Sequence, residues 1–137
     1  MAEGGLMIHS DQLLLIRLYP RRFAILNATS GCFFAPGNSF SETKEPEEAM
    51  LFREKRNALG EIETRNFNPK NLKDLSTTAQ IHKRGDGYHV YYPATKLWLG
   101  KDRLTSHEQS EPFDVKTNAH RHAQIVWGFD RIEDMTN

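Results

Sequence analysis

Short apolar segments separated by turn residues dominate the beginning of the chain. Gln12–Leu18 is apolar and ends at Tyr19-Pro20, which predicts a strand closed by a proline. Two further short strands are predicted at Arg22–Leu26 and Cys32–Phe34, because turn-forming residues lie between them. Together the three segments predict an antiparallel meander.

One segment has the features of a long helix, predicted over Glu45–Leu59. Pro46 suits the first helical turn, and Gly60 suits the left-handed position just beyond the last one. Acidic residues lie near the predicted beginning and basic residues near the end, which complements the helix dipole. Beyond this helix, a strand is predicted at Ile62–Phe67 and a short helical turn at Pro69–Leu75.

The second half of the chain predicts mostly sheet. Gln80–Arg84 and Tyr88–Tyr92 flank Gly85-Asp86-Gly87, which is a strong hairpin signal. The remaining predicted elements are a strand at Leu97–Leu99, a polar loop at Lys101–Glu111, a strand at Ala123–Phe129, and a tail at Asp130–Asn137 that frays or forms one helical turn. Runs of strands around one main helix predict an α+β fold, a mostly antiparallel sheet with the helix packed on one face.

The glycine turn determines which side chains of the hairpin share a face. With Asp86-Gly87 as the central turn residues Arg84 would oppose His89, and with Gly85-Asp86 His82 would oppose His89; both registers give the same two faces. The more apolar face, predicted to meet the core, contains Ile81, Lys83, Tyr88, Val90 and Tyr92. The opposite face, predicted to point outward, contains His82, Arg84, His89 and Tyr91.

Composition favours one folded domain over residues 1–137, with 1–5 and 131–137 frayed. Hydrophobic residues make up 38% of the 137 positions and charged residues 26%, which argues against intrinsic disorder. Cys32 is the only cysteine, so an intrachain disulfide and a multi-cysteine zinc site are both excluded. The apolar run Leu13–Ile16 is too short for a signal core or a membrane span. The sequence therefore predicts a cytoplasmic protein that does not associate with membranes.

Charge is balanced overall but uneven along the chain. Lys plus Arg equals Asp plus Glu at 18 each. Residues 70–103 carry seven basic and three acidic side chains, net +4, and residues 108–137 carry three basic and six acidic side chains, net −3. The neutral total argues against a protein held to nucleic acid mainly by counterion release.

These observations lead to three functional hypotheses. The first is a small non-enzymatic binding or regulatory protein, of the adaptor, inhibitor or immunity type, that uses an aromatic and basic sheet face on a protein partner. No strong catalytic motif is present, no cofactor is predicted, and the oligomeric state is left open. The residues predicted to bind the partner are His82, Arg84, His89, Tyr91, Lys96 and Trp98.

The second hypothesis is a nucleic-acid-binding protein or a metal-independent endoribonuclease. Two imidazoles, His82 and His89, would act as general base and acid, and Arg84 would neutralise charge on the phosphate. Tyr91 would stack on a base, and Lys96 and Lys101 would add further cations. The third hypothesis is a metal-dependent hydrolase, because His120 and His122 lie two apart and would point the same way in a strand.

Overall fold

The computed structural model describes residues 8–85 and 87–136, which form two compact units. Within this part of the chain, the first unit contains residues 8–16 and 22–74, and the second contains 17–21, 75–85 and 87–136. The predicted frayed segment 1–5 lies outside the described residues. No helix in the described part is both long and apolar enough to cross a membrane.

The first unit is built on a five-stranded mixed sheet. Its strands, in chain order, are β1 (Leu13–Tyr19), β2 (Arg22–Asn27), β3 (Cys32–Phe34), β4 (Glu42–Thr43) and β5 (Leu72–Asp74). The spatial order is β4-β3-β2-β1-β5, with β5 parallel to β1. The first three predicted strands are therefore confirmed, and β1 runs on past Ile16 into residues of the second unit.

The main helix, α1, spans Lys55–Thr64, so the predicted bounds of Glu45–Leu59 are wrong. Pro46–Glu48 forms only a 3₁₀ turn. Phe52 pairs with Phe23 through two backbone hydrogen bonds of 2.8 Å, and this bridge keeps the chain extended before the helix.

The shifted helix changes the assignment of the residues that follow it. Gly60 lies inside α1, whose buried residues Ala58 and Ile62 are four apart. The predicted strand Ile62–Phe67 is wrong, because its first residues form the last turn of this helix. The predicted turn after Pro69 is a 3₁₀ turn at Pro69–Asn71, followed directly by β5. The core of this unit consists of Leu13, Leu15, Phe23, Ile25, Phe34, Phe52, Ala58, Ile62 and Phe67.

The second unit contains another five-stranded mixed sheet. Its strands are β6 (Thr78–Arg84), β7 (Gly87–Tyr92), β8 (Leu97–Leu99), β9 (Leu104–Thr105) and β10 (Arg131–Asp134), in the spatial order β10-β6-β7-β8-β9. The predicted hairpin and the strand at Leu97–Leu99 are confirmed. The predicted polar loop instead contains β9 and a 3₁₀ turn at His107–Gln109. The predicted frayed tail contains β10, which pairs in parallel with β6.

The predicted last strand, Ala123–Phe129, is wrong because most of this segment is helical. Helix α2 spans Lys116–Arg121 and continues as a π-helical segment over His122–Trp127. Gly128 ends it with a φ of 90°, a left-handed value that suits glycine. The buried side chains Ala119, Ala123 and Trp127 are four apart, which is a helical spacing.

Helix α2 packs against β6 and β7 and covers one face of the second sheet. Ile81, Val90 and Tyr92 are fully or almost fully buried, as predicted for the apolar face of the hairpin. The structure thus confirms the α+β class and the mostly antiparallel pairing, while dividing the strands between two sheets. The other face of the second sheet carries His82, Arg84, Tyr91 and Trp98.

Candidate functional site

The register of the β6–β7 hairpin brings the predicted site residues to one face. His82 lies opposite His89, and Ile81 opposite Val90. This is the second of the two registers left open by the sequence, with Gly85-Asp86 at the centre of the turn. Asp86 itself lies outside the described residues. Because side chains alternate along a strand, His82, Arg84, His89 and Tyr91 share a face, as predicted.

Trp98 is at the centre of this face. It pairs with Tyr91 across β7 and β8, and the centroids of the two rings are 4.8 Å apart. The His82 ring lies 5.4 Å from the Trp98 ring and 5.7 Å from the Tyr91 ring. His107 approaches Trp98 at 5.0 Å from the neighbouring 3₁₀ turn. The rings meet edge-on or tilted, which is the favourable geometry for aromatic side chains.

Two cations belong to the same face. The guanidinium carbon of Arg84 lies 5.5 Å from the centroid of the Trp98 ring, within cation–π distance. Lys96 precedes β8, is exposed, and has a φ of 60° in the turn after β7. Lys83 belongs to the opposite face, because its ammonium lies 4.4 Å from the centroid of the Tyr88 ring.

These side chains line an open groove with a volume of about 690 Å³. Its described lining residues are His82, Arg84, Gly85, Tyr91, Lys96 and Trp98, together with Lys83, whose ammonium lies on the other face; none of these is acidic. Five of the six residues predicted to bind a partner therefore lie together at one place, and we call this feature the Trp98 groove. Its size falls within the range of ordinary ligand-binding clefts.

His82 is held in place at the edge of the Trp98 groove. Its Nε2 lies 3.0 Å from Oε1 of Gln80, whose amide nitrogen donates to Glu133 at 3.1 Å. An amide oxygen only accepts hydrogen bonds, so His82 carries its hydrogen on Nε2. Partial burial, and secondarily the positive charge of Arg84, lower the pKa of His82 below its ordinary value of 6.5. The imidazole is therefore mainly neutral at pH 7.

His89 is the one predicted binding residue that the structure does not expose. Its relative exposure is 3%, so the expected solvent exposure is wrong for this residue, although its side chain lies on the predicted face. Its Nδ1 lies 2.6 Å from Oγ of Ser110, and the Ser110 hydroxyl donates to the carbonyl oxygen of His107 at 2.8 Å. Because that hydroxyl gives away its hydrogen, it accepts one from His89.

The burial of His89 comes from the segment after β9, which folds over this end of the sheet face. Ser110 and His107, which hold or approach the buried imidazole, were not singled out from the sequence. No periodic pattern marks the polar stretch in which they lie, so no local signal was available. Nε2 of His107 is buried and has no hydrogen-bond partner among the described residues.

The two candidate metal ligands do not converge. His120 and His122 lie on a helix, where residues two apart point to different sides. His120 is exposed, whereas His122 is buried and its Nε2 lies 3.2 Å from Nε1 of Trp127 and 3.1 Å from the Gly100 carbonyl oxygen. Within residues 8–85 and 87–136, no group of three or more His, Cys, Asp or Glu side chains is arranged to hold a metal ion.

Comparison with known proteins adds no relative to this description. No protein-family model matches the chain, and neither the curated proteins nor the solved structures include a significant match. The function must therefore be inferred from the geometry of the Trp98 groove.

Proposed function

We propose that the protein is a non-enzymatic binding or regulatory protein that holds a protein partner in the Trp98 groove. The observation that carries the proposal is the packed cluster of Trp98, Tyr91 and Arg84 on a partly open sheet face. Trp, Tyr and Arg are the residue types that contribute most to protein–protein binding energy. Because neighbouring rings already restrain these side chains, ordering them on binding costs little conformational entropy.

Support for an endoribonuclease is weaker. General acid–base cleavage needs two imidazoles within reach of the substrate. His82 is partly exposed, but His89 is buried and bonded to Ser110. One imidazole beside Arg84 suits binding better than this reaction.

A protein partner is also better supported than a nucleic acid. Single-stranded nucleic acid is bound by aromatic side chains that stack on bases, in a groove whose cations follow the phosphate backbone. The Trp98 groove offers aromatic rings to either partner, but its predicted binding residues include only two cations, Arg84 and Lys96. The neutral net charge of the chain also gives little counterion-release energy.

We place the protein in the cytoplasm as part of this proposal. A single partly buried thiol, that of Cys32, suits a reducing compartment, in which small domains do without disulfides. Fractionation of cells that express the chain with a C-terminal tag tests the location, and recovery in a membrane or secreted fraction would contradict it.

The double variant Arg84→Ala/Tyr91→Ala tests the function. We expect it to capture at least tenfold less of a specific partner from cell extract than the unchanged protein, because two anchor side chains are lost. We expect its Tm to fall by less than about 5 °C, because both side chains are only partly buried.

A matched control is Arg121→Ala/Ile125→Ala, which also removes one arginine and one large side chain from exposed positions. These positions lie on α2 and its π-helical continuation, away from the groove. The proposal fails if both double variants retain the partner equally. Recovery of RNA instead of protein would favour the nucleic-acid alternative.

A further inference from the structure

We propose that the segment held in the Trp98 groove is an acidic stretch of the partner polypeptide. Its carboxylates would pair with Arg84 and Lys96, and an adjoining apolar side chain would pack on Trp98. This inference rests on the proposed function and specifies the chemistry of the partner.

The charges of the groove carry the inference. Arg84 and Lys96 belong to the groove, and neither forms an ion pair with a carboxylate that the structure describes. Some other described cations do form ion pairs, among them Lys55 with Asp74, Arg65 with Glu61, and Lys116 with Asp134. Among the described residues, the lining includes no acid; Asp86, which follows Gly85 in the turn, lies outside them. An anionic occupant would therefore meet the positive charges of Arg84 and Lys96.

The type of cation points to carboxylates. Arg84 presents a planar guanidinium whose N–H groups match the two oxygens of a carboxylate. It lies beside Trp98, so an ion pair formed there would be partly shielded from water and stronger than one on an open surface. Lys96 adds a second, compact charge at an exposed position.

The aromatic side chains explain why a peptide fits better than a small anion. Arg84, Tyr91 and Trp98 lie on three adjacent strands, β6, β7 and β8. Neighbouring strands are about 4.8 Å apart, so the groove extends over about 10 Å, the length of roughly three residues of extended chain. Because side chains alternate along an extended chain, an apolar side chain against Trp98 and Tyr91 has the acidic side chains two positions before and after it on the same side.

The experiment uses two synthetic peptides, acetylated and amidated at their ends. One is Glu-Glu-Phe-Glu-Glu and the other is its uncharged counterpart, Gln-Gln-Phe-Gln-Gln. Trp98 reports binding through its fluorescence, because the other tryptophan, Trp127, is fully buried. We expect saturable quenching by the acidic peptide, with at least tenfold weaker binding of the uncharged one. Raising NaCl from 0.05 to 0.5 M should weaken the binding of the acidic peptide several-fold, since salt screens exposed charges.

Variants of the full chain locate the effect. Arg84→Gln/Lys96→Asn should lose the preference for the acidic peptide. Asparagine is chosen for position 96 because it tolerates the positive φ found there, so the fold is retained. The matched control Arg121→Ala/Arg131→Ala removes two exposed cations elsewhere and should keep the preference. Circular dichroism confirms that each variant is folded.

The possible outcomes separate this inference from the proposed function. If both peptides bind equally, or if neither binds, the proposal of an acidic partner segment is overturned. If Arg84→Ala/Tyr91→Ala still loses its captured protein partner in that case, the proposed function stands. Tighter binding of a ten-nucleotide uridine RNA than of the acidic peptide, abolished by Arg84→Gln/Lys96→Asn, would overturn both.

Discussion

His82 is the titratable group most closely tied to the Trp98 groove. Burial and the charge of Arg84 both disfavour its protonated form, which lowers its pKa in the folded protein. In the unfolded chain the same imidazole keeps its ordinary pKa of about 6.5. Between the folded pKa and 6.5 the unfolded state binds more protons, so the contribution of His82 to stability decreases as the pH falls through this window.

This pH dependence predicts a difference in stability between the unchanged protein and His82→Gln. The free energy of unfolding of the unchanged protein should decrease more between pH 7.5 and pH 5.5 than that of His82→Gln, which cannot take up the proton. Urea unfolding at both pH values measures the difference. The effect is expected to be small, because the side chain is partly solvated. A steeper loss of stability in the variant would contradict the assignment.

The burial of Arg17 could not be predicted from its neighbours in the sequence. It follows the apolar run Leu13–Ile16 within the predicted strand Gln12–Leu18, and nothing in that run marks it as buried. In the structure it is only 4% exposed, and its guanidinium donates to the carbonyl oxygens of Ser76 and Trp127 at 3.2 and 3.1 Å. Those acceptors come from distant positions, so pattern along the chain does not reveal them.

At the scale of elements, the position of α1 is the largest difference from expectation in the first unit. Proline, charge order and glycine all agreed on a helix ending at Leu59. The bridge between Phe23 and Phe52 outweighs these local preferences, since burying two phenylalanines in the core contributes more than helix capping. Gly60 consequently lies in mid-helix rather than beyond the helix end.

Two glycines of the first unit test this helix. A Cβ added to Gly60 or to Gly31 would meet no atom within 4 Å, but only Gly31 has a positive φ, of 77°. Gly60→Ala should therefore stabilise the protein by about 0.5–1 kcal/mol, because alanine is the better helix former. Gly31→Ala should destabilise it by about 1 kcal/mol, because alanine is strained in the left-handed region. Urea unfolding of both variants gives the two signs. If Gly60→Ala destabilises the protein, Gly60 lies beyond the helix end, as the sequence predicted, and not inside α1.

The segment that begins at Lys116 is a helix and not a strand, and this changes the relation between His120 and His122. Its apolar run of Ile, Val and Trp favours a strand by residue type. The stripe of Ala119, Ala123 and Trp127, with Gly128 after it, favours a helix and was present in the sequence. Once the segment is helical, His120 and His122 separate, and the expected metal pair disappears with the strand.

At the scale of the whole molecule, one domain was predicted, and the structure contains two compact units. Cooperative unfolding of the two units together remains a prediction. The aromatic residues make it testable, because Trp98, Trp127 and all four tyrosines belong to the second unit. Tryptophan fluorescence therefore reports on the second unit alone, whereas far-ultraviolet circular dichroism reports on both.

If the chain is a single cooperative domain, the two signals should change at the same urea concentration and give the same slope. A midpoint difference of more than about 0.5 M urea, on the order of 1 kcal/mol for a slope of about 2 kcal/mol per M, would show two independently unfolding units. Ile62→Ala, which removes a fully buried side chain of the first unit, provides a control. In a cooperative domain it should lower both midpoints equally.

The sequence by itself determined the α+β class, the N-terminal meander and the two faces of the hairpin. These features depend on the alternation of apolar and polar side chains and on turn-forming residues. Both are properties of residues that are close together along the chain. The tertiary structure alone decided that Arg17 and His89 are buried, where α1 begins, and that the chain after Lys116 is helical. Each of these depends on contacts between residues far apart in sequence, whose combined packing free energy exceeds the small local preferences that a pattern records.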